Sequence, residues 1–373
     1  MTSRAGGGLD FGGEGGQYVS RMDKELYILT DGDGDFLVSM EDLVHFTSMD
    51  VPKMKALFEK SGFSVRVATF GGLDLGQDFR GKYVVYQTSE KKGPFYKHYV
   101  EDVVYWLERH GAICLPPFEH LKAHHNKCYM EMMRRDFKNP ELKSLRSWCF
   151  GSVEEAVAGM PSQFPVVLKQ VAGSGSEGVF LARNPEEYRR HARAISQTAL
   201  GPGWPAVALE GLKQAIRRGL SPVVAKYRKT DPPVRQPVVV QEFVPNLAGD
   251  YKVVVFGGKY YILYRQNREG DFRASGGGRL FVVPEAEREG LLDFARKVVE
   301  EIDFPMLGLD IAFDGSRYHL FEFQMIHLGP YTLQAAEFWH ENRDGKWVQF
   351  NGKSDLEVEF CRSLCEHITV HGR

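Results

Sequence analysis

Residues 306–330 read MLGLDIAFDGSRYHLFEFQMIHLGP, and the interpretation of the whole chain turns on them. An apolar run delivers one carboxylate, Asp310, and a turn built on Asp314-Gly315-Ser316 follows. A second apolar run delivers Glu322 and, two residues on, Gln324. Strand side chains alternate faces, so Glu322 and Gln324 point the same way. If the two runs pair as a hairpin, Asp310 falls beside them. The result is a row of hard oxygen ligands on a rigid sheet, which suits Mg²⁺ carrying a nucleotide phosphate. An ordinary hairpin with a few polar positions accounts for these residues equally well.

Two further stretches bear on the choice. Residues 164–183 read FPVVLKQVAGSGSEGVFLAR: a β-rich run leads into Lys169, a glycine-serine loop follows, and VFLA is a second strand candidate. A glycine loop can bend its backbone N–H groups around phosphate oxygens, with Lys169 adding a point charge. No Gly-Lys-Ser/Thr ends the loop, so it is not a Walker loop. A strand follows where a helix should start, so it is not a dinucleotide fingerprint. Taken alone, such a loop is more often a hairpin turn. Residues 237–258, PVVVQEFVPNLAGDYKVVVFGG, carry a buried-looking strand ending in Gln241-Glu242-Phe243-Val244, then Asp250 and Lys252 on an alternating strand. Arg265, Arg273, Ser275 and the triple glycine 276–278 come next.

The order of these pieces resembles the ATP-grasp superfamily, and more narrowly its branch of carboxylate–amine ligases. Glutathione synthetase, the ribosomal-protein glutamate ligases and D-alanine–D-alanine ligase belong to that branch. Its pattern is a lysine early in a helix, a lysine before a glycine-serine loop and a strand ending in Gln/Glu. An Arg-rich segment before a glycine cluster and Asp…Glu-x-Asn complete it. Here those positions read Lys127 in HHNKCYM, Lys169 in VVLKQVAGSGSEGV, Gln241-Glu242 in VVVQEFV, RQNREGDFRASGGG, and Asp310…Glu322-x-Gln324. The match extends from about Lys24 to about Ala336. Gln324 stands where the family usually has Asn, Lys252 where it often has Arg, and Ser275 where Asn is frequent. These departures bear on a second metal site and on substrate contacts more than on nucleotide binding.

The resemblance implies an α/β fold with α+β lobes, an ATP-grasp fold preceded by a Rossmann-like parallel-sheet domain. It implies an ATP-dependent ligase that joins a carboxylate to an amine through an acyl phosphate, releasing ADP and phosphate. Its cofactors would be ATP and one or two Mg²⁺ ions, with Mn²⁺ as a substitute. Asp310, Glu322 and Gln324 would hold the metal, and Lys127 and Lys169 the phosphates. Ser174, Gly175, Ser176 and Gly178 would close over the β/γ end. Gln241, Glu242, Phe243 and Val244 would meet the adenine, with Val167 and Phe321 sandwiching it and Asp250 taking a ribose hydroxyl. Arg273 is the expected stabiliser of the transferring phosphoryl group and the oxyanion. Arg265 and Lys252 would hold carboxylate or phosphate. His327 either lines the substrate pocket or is a structural histidine. An ATP-grasp kinase and a silent nucleotide-binding module are the competing classes.

The chain as a whole fits this picture. Its 373 residues, 43% apolar and 26% charged, are enough for two or three packed lobes. A net charge of −2 suggests no general nucleic-acid surface, and no apolar run is long enough to cross a bilayer. The expected partners are a small-molecule or peptide carboxylate and an amine acceptor, in a cytoplasmic protein, with a homodimer expected by analogy. Five scattered cysteines without metal spacing read as reduced thiols. The expected division is a glycine-rich tail over 1–22, an α/β domain over 23–122, a first lobe over 123–243 and a second over 244–373.

Locally, strands are expected at 24–30, 64–70, 82–87 and 112–115, with helices at 51–61 and 96–110 between them. One helical stretch is expected to open at Glu119-His120, carry Lys127 and continue to about Arg135. Further helices are expected at 152–158, 185–195, 287–302 and 355–367. Residues 212–229 are basic, either a solvated face or a rim that attracts an anionic substrate. Residues 31–35, DGDGD, imitate a calcium loop. Phe36 occupies the required glycine position and Asp42 that of the final Glu, so a polar loop is the better reading.

Overall fold

The computed structural model describes residues 24–40, 46–88, 92–173, 178–197, 236–274 and 279–371. The glycine-rich tail, residues 174–177 of the glycine loop, the basic stretch 212–229 and residues 275–278 lie outside the described residues.

β1 (Lys24–Thr30) is followed by a small antiparallel pair, β2 (Leu37–Met40) and β3 (Phe46–Ser48). β1 then pairs in parallel with β4 (Phe63–Thr69) and β5 (Tyr83–Tyr86), and β5 with β6 (Ile113–Leu115). The sheet order is β4-β1-β5-β6. Both faces are covered, as a parallel sheet requires. Leu26 and Ile28 pack with Met54 and Phe58 of α1 (Val51–Lys60). Tyr27 and Leu29 pack with Val100, Val104 and Leu107 of α2 (Pro94–Arg109). Asp50 caps α1 by accepting from the Lys53 N–H. Gly111, at φ +83°, ends α2 as its sequence suggests.

The helix expected from Glu119 to Arg135 is two helices. α3 (Phe118–Ala123) stops, His125 adopts φ +50°, and α4 (Lys127–Asp136) starts afresh. Asn126 caps the new helix by accepting from the Tyr129 N–H. Lys127 is therefore the first residue of a helix rather than a mid-helix residue.

A four-stranded antiparallel sheet follows. It is built from β7 (Ser147–Phe150), β8 (Val166–Gln170), β9 (Val179–Ala182) and β10 (Val238–Glu242), in the order β7-β10-β8-β9. α5 (Val153–Ala158) and α6 (Pro185–Gln197) cover one face, burying Ala156, Tyr188, Ala192 and Ile195 against Val166, Leu168, Val238 and Val240. Alternation turns Val167, Lys169 and Gln241 to the opposite face.

The last sheet contains β11 (Gly249–Phe256), β12 (Lys259–Gln266), β13 (Leu280–Phe281), β14 (Met306–Phe313), β15 (Tyr318–Gln324), β16 (Phe338–Arg343) and β17 (Lys346–Asn351). Its order is β15-β14-β11-β12-β16-β17, with β13 on β12. α7 (Glu285–Ile302), the short α8 (Tyr331–Ala335) and α9 (Leu356–His371) accompany it. The Tyr251 hydroxyl donates to Glu287 of α7, which marks the helix-covered face. Lys252 and its neighbours across the sheet take the other face. The apolar core here is continuous with Leu26, Ile28, Met54 and Phe58 of the first sheet. Cys361 of α9 sits 3.9 Å from the Met54 carbonyl, and the rings of Phe36 and Phe360 meet edge to face. All five cysteines are free thiols. Among the described residues, no helix is long and apolar enough to cross a membrane.

Candidate active site

A cleft lies between the four-stranded antiparallel sheet and the last sheet. The first sheet of the pair contributes Val167, Lys169, Val179 and the strand end Gln241–Glu242, continued by Phe243 and Val244. The other contributes Asp250, Asp310, Phe321 and Glu322. Lys127 enters from the start of α4, Gly173 from the glycine loop, and Phe272-Arg273-Ala274 from the segment after β12. Residues from five separated stretches of sequence thus meet around one space.

The floor is a row of charges set by strand register. Lys252 on β11 is opposite Asp310 on β14, which is opposite Glu322 on β15. Directly opposed residues share a face, so the three form a line across the sheet. Asp310 Oδ1 accepts from Lys252 Nζ at 3.0 Å, and Oδ2 pairs with Arg265 at 2.9 Å. The Arg265 guanidinium also grips Asp250 with two bonds of 2.7 and 2.8 Å. Burial pushes the Asp310 carboxyl up, but the Arg265 and Lys252 charges outweigh it and hold it well below the usual carboxylate range. Glu322 behaves alike: burial raises it, and Lys127 and Lys169 bring it below its ordinary value. Its contacts are longer, at 3.4 Å to Lys169 and 3.9 Å to Lys127, and both fall on Oε1.

The break between α3 and α4 places Lys127. Its backbone N–H donates to the Val171 carbonyl at 2.9 Å, and its ammonium to the Gly173 carbonyl at 2.9 Å. One residue thereby ties a helix start to the strand end that opens into the glycine loop. Gly178 closes that hairpin at φ +69°, and a side chain there would run into Gln170. The Arg273 guanidinium donates to the Asp271 carboxylate at 3.0 and 2.7 Å, so it reaches the cleft wall already oriented.

Several expected site residues sit differently from their sequence reading. Arg265, Lys252 and Gln324 do not line the cleft. Lys252 and Arg265 act on it through Asp310 and Asp250, and Gln324 is paired with Gly308, two residues before Asp310. Asp250 lines the cleft with both oxygens bonded to Arg265. The Gln241 amide nitrogen is turned toward Glu131, 3.4 Å away, and the Glu242 carboxylate toward Arg146. His327 is buried away from the cleft lining, with Nε2 2.8 Å from the Thr88 carbonyl and its ring stacked on His124. Sequence reasoning missed Val179, Leu247 and Phe272 as wall residues. It also missed Glu131 and Arg134 behind the wall; their spacing from Lys127, one and two helical turns on, is the available signal.

The donor chemistry of the floor fits a hard divalent cation. Two carboxylates face each other on adjacent strands, both are held in the ionised form, and both open onto the cleft. A second acidic group lies elsewhere: Asp31, Asp33 and Asp35 approach within 4.8 Å of one another. There Asp31 Oδ1 accepts from the Asp33 and Asp35 backbones, and Lys92 donates to Asp33. The cluster is thus bound up with its own loop at the end of β1.

No protein-family model matches the sequence, and comparison with curated proteins returns no match. Solved structures do match. D-cycloserine synthetase DcsG aligns with a TM-score of 0.50 at 13% identity, covering 92% of this chain and 99% of that one. ATP-grasp ligase PsnB, in complex with minimal precursor, aligns at 0.48 and 14% identity over 93% and 99% of the two chains. D-alanine–D-alanine ligase from Bacillus anthracis aligns at 0.43 and 12% identity over 83% and 89%. The chain has the ATP-grasp fold.

Proposed function

We propose that the protein is an ATP-dependent ligase that joins a carboxylate to an amine through an acyl phosphate. The observation that carries this reading is the single cleft in which Lys127, Lys169 and Arg273 face the opposed carboxylates Asp310 and Glu322. Residues 123–243 and 244–373 would be the two lobes that enclose ATP, with residues 23–122 as a preceding domain. The adenine would lie against Val167, Phe321 and the Gln241–Val244 strand end. The triphosphate would run toward Lys127, Lys169 and the glycine loop. Asp310 and Glu322 would hold Mg²⁺, which supplies charge neutralisation at the phosphates when bound.

A carboxylate is a poor acyl donor, and phosphorylation gives it a leaving group. Its oxygen attacks the γ-phosphorus, the bond to the β-phosphate oxygen breaks, and ADP departs with the electron pair. The amine nitrogen then attacks the acyl carbon. The tetrahedral oxyanion collapses, the bond to phosphate breaks, and the amine proton passes to solvent. The pre-oriented guanidinium of Arg273 is the group assigned to stabilise charge at both steps. Lys252 and Arg265 keep Asp310 ionised and fixed. Five free thiols accord with a reducing, cytoplasmic setting.

The test is ATP turnover with Mg²⁺ on pools of carboxylates and amines, following ADP and inorganic phosphate together, with Asp310→Asn in parallel. The expected result is phosphate release that requires both a carboxylate and an amine and disappears in the variant. ADP formed without free phosphate would point to a kinase instead. Nucleotide binding without turnover on any pool would favour a silent module.

A further inference from the structure

Phe321 and Glu322 are neighbours in one strand, yet both line the cleft. A regular strand would send them to opposite faces. The pairing of β14 with β15 explains the exception. Asp310 is opposite Glu322, but the next residue, Ile311, is opposite Leu320, so Phe321 is left over as a β-bulge. A bulge re-aims side chains, and it also interrupts the ladder that would satisfy the local backbone.

Arg134 supplies the missing partners. Its guanidinium donates to the Leu320 carbonyl and, at 3.0 Å, to the Phe321 carbonyl. Glu131 orients that guanidinium with two bonds of 3.0 and 3.2 Å. Glu131 in turn accepts from the Ser147 hydroxyl at 2.6 Å and from the Gln241 amide at 3.4 Å. Arg134 and Glu131 are 2% and 1% exposed. Apolar residues of similar volume would hold this position at least as stably as a buried ion pair. A planar fork, by contrast, can serve two adjacent carbonyls, which a lysine cannot match.

We propose that Arg134 is a positioning residue: its guanidinium holds the bulge that turns Phe321 and Glu322 together into the cleft. The proposal rests on the nucleotide reading above for its consequence. Phe321 is assigned to the base and Glu322 to the metal-bearing phosphates, so one guanidinium would set both ends of the nucleotide. Glu131 orients Arg134 and at the same time meets Gln241, so the two walls of the cleft are referenced to one helix, α4.

The experiment titrates ADP into the full chain by calorimetry, once with excess Mg²⁺ and once with EDTA, and follows amide hydrogen exchange over residues 320–323. Arg134→Lys should fold, and with Phe321 no longer held against the base it should bind ADP in EDTA a few-fold more weakly than the parent. The gain in affinity that Mg²⁺ adds should fall by about tenfold, as when a residue that orients a metal ligand is lost. Exchange at residues 320–323 should accelerate. The paired substitution Glu131→Leu with Arg134→Met removes the buried charges together and guards against a misfolded single variant. It should still fold cooperatively and lose the same Mg²⁺-dependent gain. Variants that retain both the gain and the exchange protection would overturn the proposal. So would variants that lose ADP affinity equally with and without Mg²⁺ in step with a lowered unfolding midpoint, because that is a structural role. If the parent itself binds no ADP, the nucleotide reading fails, and the exchange data still judge the bulge. Acceleration confined to residues 320–323 would support Arg134 as its holder, and unchanged exchange would refute it.

Discussion

Asp310 and Glu322 are opposed residues on adjacent strands of one sheet, yet they are held in different ways. Asp310 is gripped from within its own sheet, by Lys252 and Arg265 at 3.0 and 2.9 Å. Glu322 takes its countercharges from across the cleft, from Lys169 on the other sheet and Lys127 on α4, at 3.4 and 3.9 Å. The first carboxylate belongs to a rigid lattice and the second to the gap between walls. Parting the walls would leave the contacts of Asp310 intact and strip those of Glu322.

Asp310→Asn should have the largest effect. It leaves Lys252 and part of the Arg265 fork without a countercharge, so stability should drop by about 3 kcal/mol in urea unfolding, along with loss of turnover. Unchanged stability would mean that Asp310 is not part of a lattice. Glu322→Gln should abolish turnover while changing stability by less than about 1 kcal/mol, since long contacts across an open space contribute little. Equal destabilisation by the two substitutions would erase the distinction. Lys169→Met should raise the KM for ATP by roughly tenfold, about 1.4 kcal/mol of lost phosphate binding, with a near-normal unfolding midpoint. A normal KM would remove Lys169 from the phosphate site.

The smallest effect concerns pH. Both carboxyls have folded-state values below their ordinary ones, so each contributes stability that is present above about pH 4 and is lost as pH falls toward the folded value. The acid limb of the stability curve should therefore flatten in Asp310→Asn and, to a lesser degree, in Glu322→Gln. An acid limb that neither substitution alters would assign it to other carboxylates.

Much of this arrangement was legible in the sequence because it depends on alternation. Lys169 and Gln241 face the cleft since their neighbours Leu168 and Val240 are buried under helices. The run of apolar residues around Asp310 and Glu322 likewise announces a paired hairpin, and that hairpin forms. What alternation could not give was the bulge. It assigns Phe321 and Glu322 to opposite faces, and the interruption is sustained by Arg134, a residue 187 positions away from Phe321. The helix break before Lys127 was hidden for a different reason. The stretch around it is continuous in helical pattern, and only Asn126, a good cap three residues before the Tyr129 N–H, betrays a second start. Arg265 reads as a substrate-facing cation because a sequence does not reveal that Asp250 and Asp310 occupy its fork.

The core shared by β1, α1 and α9 has a consequence for how the chain is made. Asp50 at the start of α1 bonds Glu357 of α9, 307 residues later, and the Met54 carbonyl meets Cys361 at the same separation. On the ribosome, Leu26, Ile28, Met54 and Phe58 emerge long before Phe360 and Leu364 can cover them. The α1 side of the first sheet therefore keeps part of its apolar packing uncovered until residues 356–371 have been made. Until α9 arrives, that part of the nascent chain offers a sticky surface to whatever meets it first.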